Sequence, residues 1–520
     1  MSEEQKNNEL PKEPVKEKVS PVERRPNFLV LLNPFRLKKE INTLTADAFK
    51  ASAYIKYLIF CFVGMFGCCY VFKLQLPFAI ALFVLMALFL PSLYYISSRN
   101  KYEHQRFMDV SSYVEQLLYS FKRQPKILVA LQDTAVLFED DEKNSRLSQC
   151  IKEAIQFIQN GVAEENIYKE AFAIIEAEFG CKRMYKVHEF LIRVENAGGV
   201  ADEAIEMLIK DRNLWVTRIQ NLLQDKQKVR INVGIGIGLS ILIVGMGTYM
   251  VPADFGIHTM FASQLAKTIT FIMDMAIFYG VQVALSKSLL GVDQNLPFEE
   301  IERAYNLVMH DTYKKKNKTF LIAAGITLVG AVVAFFAMGI TPAVIIAIFA
   351  LMLVTQPKRQ YKACFKRVYR EVEKAFPDWM LSLALQMQTD NVHVSIAKTA
   401  IDAPRILMEE LATFQDELEK HPNALSPYTN FFKKLEIPDV VTAMKMLYAM
   451  AEFGAKDSQE QIKGLVNRNT EAMDKADRMR MEDSLAGISF AMLLPMITGV
   501  IPLLVDLALV MTYILSQVNA

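Results

Sequence analysis

Long apolar runs alternate with long charged stretches along this chain, and that alternation predicts its plan. Tyr57–Phe72 and Phe78–Ile96 form a first apolar pair, interrupted by Lys73 and Pro77. Asn232–Val251 and Thr268–Leu285 form a second, separated by the 252–267 loop. Thr319–Met338 and Thr341–Val354 form a third, joined tightly at Gly339–Pro342. Ser484–Leu515 is a final run whose only charge is Asp506. A membrane-crossing helix takes about 20 apolar residues, or fewer where the bilayer thins. The final run reads either as one long kinked helix or as a short hairpin turning near Gly499–Pro502. The chain therefore carries seven or eight spans, with eight preferred.

The polar stretches between the runs, about 100–230 and 358–482, have helical periodicity. In the first, Met184, Val187, Leu191 and Val194 recur at helical spacing, and Gly198–Gly199 stops the run. In the second, Pro438 opens a helix, Val441, Met444, Tyr448 and Ala451 line one face, and Gly454 ends it. Neither stretch shows sustained alternation of period two. Each is read as an all-α bundle.

Charge orients these parts. Arg218, Lys226, Lys228 and Arg230 precede the third span; Lys314, Lys315, Lys316 and Lys318 precede the fifth; Arg468, Lys475, Arg478 and Arg480 precede the last run. The 252–267 loop has only Lys267. Basic flanks stay in the cytoplasm. The predicted plan follows: a disordered cytoplasmic tail over 1–56, a transmembrane hairpin over 57–96, and a cytoplasmic helical domain over 100–230. A transmembrane pair over 232–287 and a cytoplasmic linker helix within 288–318 come next. A second hairpin over 319–356, a second domain over 358–482 and the transmembrane segment or segments over 484–516 complete it. The fold class is all-α, a polytopic membrane protein of the cell membrane with two cytoplasmic bundles.

Composition agrees with that plan. The 520 residues are 52% hydrophobic yet 22% charged, a combination that alternating spans and charged domains supply. A net charge of +1 gives no global bias toward nucleic acid. The Pro-, Glu- and Lys-rich opening is too polar to bury a core, and no cleaved signal peptide is expected. Six cysteines without a CxxC pair are expected to be reduced thiols.

The two bundles read as an internal repeat. Tyr113 corresponds in position to Trp379, Asp133–Thr134–Ala135 to Lys398–Thr399–Ala400, and the Glu195–Gly199 turn to Glu452–Lys456. Each unit runs from a hairpin through a bundle and then a charged helix into the membrane. Asn213–Arg230 and Asn467–Arg480 are predicted to continue into the bilayer without a break.

The search for catalytic chemistry is negative. No phosphate-binding GxxxxGK[ST] loop is present. His188–Glu189 begins like HExxH but lacks the second histidine, so His188 is expected on a helix face or core edge. No catalytic residue, cofactor or metal is predicted. Gly234 and Gly238 make a GxxxG spacing, read evenly as a close helix contact or a flexible stretch. Asp274 and Asp506 are intramembrane carboxylates, costly unless paired, hydrated or protonated. For Asp274, contact with a polar group on another membrane helix and an ordinary interhelical bond weigh equally. For Asp506 the ordinary bond is favoured. The turns bearing Glu195, Gly198, Gly199, Glu452 and Gly454 are first helix stops and second candidate partner-facing loops.

The segment 191–223, LIRVENAGGVADEAIEMLIKDRNLWVTRIQNLL, together with the span order and the bundle beginning near Tyr113, resembles the F-family platform domain of type II secretion, type IV pilus, tight-adherence pilus and archaellum machines. The second copy, from FPDWMLSLALQMQ to KADRMRMEDSLAG, resembles the same domain with one glycine lost, since Ala455 and Lys456 follow Gly454. A hairpin before each bundle resembles two fused tight-adherence subunits or the double-domain archaellum platform. The resemblance implies a membrane platform without catalysis of its own. It also implies a cytoplasmic hexameric ATPase and pilin or pseudopilin subunits as partners, and a homo-oligomer. The rival readings are a transporter or channel, whose sign would be saturable substrate flux, and a membrane scaffold or receptor dispensable for export.

Overall fold

This computed structural model describes residues 26–518 apart from 27, 45–48, 139–144, 162–165, 198–201, 253–254, 287, 291–297, 311–319, 321, 331, 333–339, 388–389, 454–457 and 486–487. Among the described residues the chain is helical and contains no strand. Among the described residues five helices are long and apolar enough to cross a membrane, and the chain is a multi-pass membrane protein. Of the third apolar pair, 322–330 is helical and 341–354 opens a helix that continues past it, while 333–339 between them, the Gly198–Gly199 turn and Gly454 lie outside the described residues.

The tail is not disordered throughout. Helices α1 (Phe28–Leu31) and α2 (Pro34–Leu44) precede the first span. Leu31, Leu37 and Ile41 are buried with Tyr95, and the Phe28 ring meets Phe89 and Tyr279. A few apolar side chains at helical spacing dock this short segment, although the tail as a whole is polar.

The first hairpin is α3 (Ala51–Val71) and α4 (Leu76–Arg123). The second of these does not stop at the membrane surface. It runs unbroken through Pro91, 48 residues in all. Proline is tolerated there because neighbouring groups in a membrane bundle can satisfy the freed carbonyl. The cytoplasm-predicted part of α4 joins α5 (Ile127–Leu137), α6 (Ser145–Asn160), α7 (Ile167–Phe179), α8 (Lys182–Ala197) and the start of α9 (Asp202–Met250) in the first extramembrane domain. Its core contains Phe107, Tyr113, Phe121, Phe172, Leu191 and Trp215. Helix α9 runs from that core through the apolar run in one piece of 49 residues. The predicted continuity of 213–230 into the bilayer holds. Helix α10 (Phe261–Leu285) returns.

The predicted linker helix is present as α11 (Phe298–Met309), but it is not a bare linker. Ile301, Ala304, Tyr305 and Val308 enter the core of the second domain. That domain continues with the later part of α12 (Ile340–Gln386), whose start is the apolar run 341–354, and with α13 (Val392–Ile401), α14 (Arg405–Lys420), α15 (Ser426–Asn430), α16 (Pro438–Phe453) and α17 (Ser458–Leu485). Trp379, Phe414, Tyr428 and Phe431 pack at its centre.

Two expectations change at the C-terminal end. Helix α17 ends at Leu485, a 3-10 turn spans Ser489–Met492, and α18 (Leu494–Val518) begins anew. The second exit is therefore interrupted, with Pro495 in the first turn of α18, where a missing N–H costs nothing. The final run is one helix of 25 residues, not a hairpin. It passes straight through Gly499 and Pro502 and packs along α9 and α10.

Candidate functional site

The two extramembrane domains meet at a buried ionic joint. Its centre is Asp477 on α17, which is 1% exposed. Asp477 Oδ2 accepts from Arg183 Nη2 of α8 at 2.8 Å and from Arg218 Nη1 of α9. Its Oδ1 accepts from Arg480 Nη1 at 2.6 Å. The chain of pairs extends both ways. Arg183 Nε donates to Asp211 Oδ2 at 3.0 Å and Arg218 Nε to Asp474 Oδ1 at 2.9 Å. On the other side, Arg480 Nη2 and Lys182 Nζ both donate to Asp378 Oδ2, at 2.8 and 2.6 Å.

Four cations pair with four carboxylates, and Lys186 of the first domain adds a fifth cation whose Nζ donates to the Asp378 carbonyl at 2.7 Å. The first domain supplies Lys182, Arg183, Asp211 and Arg218; the second supplies Asp378, Asp474, Asp477 and Arg480. Apolar packing continues across it. Leu381 and Leu385 of α12 and Met473 and Met481 of α17 belong to the first domain's core. The Arg183 guanidinium also lies over the Trp215 ring, 5.3 Å from its centre. The shared wall makes the domains one packed unit.

Burial alone would disfavour ionised Asp477 and Asp378. Arg183, Arg480 and Arg218 outweigh that for Asp477, and Arg480, Lys182 and Lys186 for Asp378, so both carboxyls stay below the usual carboxylate range. A carboxyl depressed on folding contributes stability that is present above its unfolded pKa, about 3.9, and lost as pH falls through the folded value. The melting temperature of the purified protein is therefore expected to fall below about pH 4, less steeply in Asp477→Asn. Equal pH profiles for the two would contradict this.

Sequence reasoning missed the joint. It read Arg218 and Arg480 as topology-setting charges, whereas they are 4% and 7% exposed and spent within the protein. The available signal was the helical spacing that places Met473, Asp477 and Arg480 on one face of α17, mixing apolar with opposed charged groups.

The other predicted residues fall in different places. Glu195 turns inward: Oε2 accepts from the Ile127 N–H at 2.7 Å, and Oε1 from Tyr168 OH at 2.9 Å. Its carboxylate ties α8 to the start of α5 and is not a free partner-facing group. Glu452 is exposed. His188 lies in the core, not at its edge. It contacts Tyr113 OH at 3.0 Å and Glu176 Oε1 at 2.7 Å and stacks on Phe172. Burial lowers its pKa, against the opposing effect of Glu176. None of the six cysteines forms a disulfide.

Within the spans, Asp274 of α10 accepts from Ser240 Oγ of α9 at 2.8 Å, and its Oδ1 lies within hydrogen-bond distance of Thr498 Oγ1 of α18, at 2.5 Å. Asp506 of α18 pairs with Lys267 of α10 at 3.7 Å. Lys267, assigned by sequence to a loop, lies inside α10 and is fully buried. The stripe Ser263, Lys267, Thr270 and Asp274, at helical spacing, could have revealed it. Pro502 supplies no N–H to the Thr498 carbonyl one turn back, and Thr270 Oγ1 donates to that oxygen instead, at 3.2 Å.

Close helix contact is made by other glycines than those predicted. Nothing lies within 4 Å of a β-carbon built on Gly234 or Gly238. One on Gly499 would sit 2.8 Å from the Ser240 Cα, and one on Gly247 2.9 Å from Leu503 Cδ1. Gly499→Ala is expected to cost about 1–3 kcal/mol by overpacking. Gly234→Ala is expected to be neutral or to stabilise by up to about 1 kcal/mol. Thermal melting in one detergent compares them, and an equal loss in both would refute the assigned contact.

The joint and this polar layer have no counterpart to borrow from. No family model, no curated protein and no solved structure matches the chain.

Proposed function

We propose that the chain is the platform protein of a pilus or type II-like secretion machine in the cytoplasmic membrane. The tail and both helical domains face the cytoplasm, on the reading of the basic flanks as positive-inside signals. A separate cytoplasmic hexameric ATPase engages the domains. Its movement passes into the spans and helps lift pilin or pseudopilin subunits into a growing filament. The chain contributes no catalysis of its own and works as a homo-oligomer.

The observation that carries this reading is mechanical. Helix α9 is continuous from the joint, where Arg218 meets Asp477, to Met250 at the far end of the third span. A displacement of either domain is thereby delivered to one rod. The test is co-purification of the full-length protein from its native membrane. A hexameric secretion-type ATPase and prepilin-like subunits are expected with it, and their joint absence would sink the proposal.

A transporter is the second reading, favoured by one observation: Asp274 meets two hydroxyls from two other helices near the middle of α10. Polar groups converging at mid-membrane are the mark of such proteins. Saturable substrate flux in proteoliposomes would establish that reading, and flux no greater than in empty vesicles would end it.

A further inference from the structure

The geometry points to a proton-binding site at Asp274, reached from the membrane face opposite the helical domains. This inference rests on the spans alone and is independent of the platform proposal. Asp274 is 13 residues from the start of α10 and 11 from its end, hence near mid-span. Asp274, Ser240 and Thr498 are each at most 4% exposed. No cation neutralises the carboxyl among the described residues. The charged groups of α9, α10 and α18 nearest it are Lys267 and Asp506, which pair with each other two turns away along α10, about 10 Å. Helix α4 carries no charged residue between Leu76 and Ile96. An unpaired carboxylate in that setting is strongly disfavoured against its protonated form.

Hydrogen-bond accounting agrees. Thr498 Oγ1 lies 2.5 Å from Asp274 Oδ1 and 2.8 Å from the Pro495 carbonyl oxygen, but has one proton to give. With a proton on Oδ1 the three contacts are satisfied in order. Oδ1–H donates to Thr498 Oγ1, Thr498 donates to Pro495 O, and Ser240 Oγ donates to Oδ2 at 2.8 Å. The binding step is a carboxylate taking one proton from water.

The access side follows from a second observation. Lys267 Nζ, Asp506 Oδ1 and Ser263 Oγ are buried and make no hydrogen bond among the described residues. All three lie in the half of the bundle between Asp274 and the α9–α10 connection, with Lys267 two turns from Asp274, whereas the buried unbonded atoms toward the domain side, on Arg99, Glu103 and Arg230, lie farther off, Arg230 being about 15 Å along α9 from Ser240. Buried polar atoms nearly always bond to protein or to ordered water, so the water-seeking groups nearest Asp274 lie in that half. The Thr498 contact makes the proton a fastener between α18 and the second membrane pair.

Infrared spectroscopy on the full-length protein, oriented one way in lipid vesicles, tests this. The wild type is expected to show the C=O stretch of a protonated carboxylic acid at neutral pH. Asp274→Asn is expected to lose that band, and Asp506→Asn to keep it. Should Asp274→Asn not fold, Thr498→Val is expected to keep the band and shift it, since one bonding partner is removed. Making the bath alkaline on the face opposite the domains is expected to abolish the band. Coincident wild-type and Asp274→Asn spectra, or an unshifted band in Thr498→Val, would overturn the site. A band that responds only to the bath on the domain side would overturn the route.

Discussion

Inserting a Gly-Pro pair after Gln224 is expected, on the proposed platform role, to abolish filament or secretion output while leaving membrane insertion intact. Gln224 is exposed and lies on α9 between the joint and the third span. The insertion therefore disturbs neither packed end directly. Proline in a helix interior removes a hydrogen bond and clashes with the preceding turn, at about 3 kcal/mol or more, and glycine adds about 1. The insertion also rotates everything beyond it, since each residue turns the helix by about 100°. The rod becomes a hinge with a changed phase. Domain movement would then no longer reach Ser240, Gly247 and the helix they hold. Output is read as assembled filament or exported substrate, and insertion as resistance to alkaline extraction. Normal output from this variant would show that α9 does not transmit.

Asp477→Ala is expected to be the most damaging single substitution in the extramembrane domains. It strands Arg183 and Arg218, 10% and 4% exposed at the side chain, without their shared carboxylate. Breaking a buried pair by removing one partner costs about 3–5 kcal/mol, because an uncompensated charge remains. Three guanidiniums depend on Asp477, though Arg480 keeps Asp378, Arg183 keeps Asp211 and Arg218 keeps Asp474. The loss should therefore fall within that range and not multiply. The melting temperature of the purified protein measures it. Arg193→Ala, whose pair with Glu189 is solvent-exposed on the acid side, is the control, with an expected change under about 1 kcal/mol. Similar losses for the two substitutions would mean that the joint is no firmer than a surface pair.

Sequence pattern made the spans and the long helices legible because hydropathy and helical period are local properties. The continuity of α9 could be read from an uninterrupted run between Asp202 and Met250. The end of the second rod could not, because Leu485 and Leu494 belong to elements whose break depends on a proline several residues ahead. The joint was invisible for a different reason. Arg218 and Asp477 are 259 residues apart, and a charge's partner is a tertiary fact. Arg218 in a basic cluster before a span has an adequate explanation in topology, and that explanation hid its burial. Lys267 was misplaced because one lysine at the edge of an apolar run looks like a boundary. Only the polar stripe it shares with Asp274 shows that the helix began two turns earlier. The docking of α2 escaped because Leu37 and Ile41 are too few to stand out against the charges around them.

The claim on which the rest depends is that the two helical domains move as one body. Spin labels at Glu189 on α8 and His393 on α13, both exposed and on opposite sides of the joint, report on it directly. Dipolar distance measurements on the full-length protein in lipid, without and with nucleotide and the hexameric ATPase proposed as its partner, should give one narrow distribution that does not change. A broad distribution, or one that shifts with nucleotide, would contradict the account.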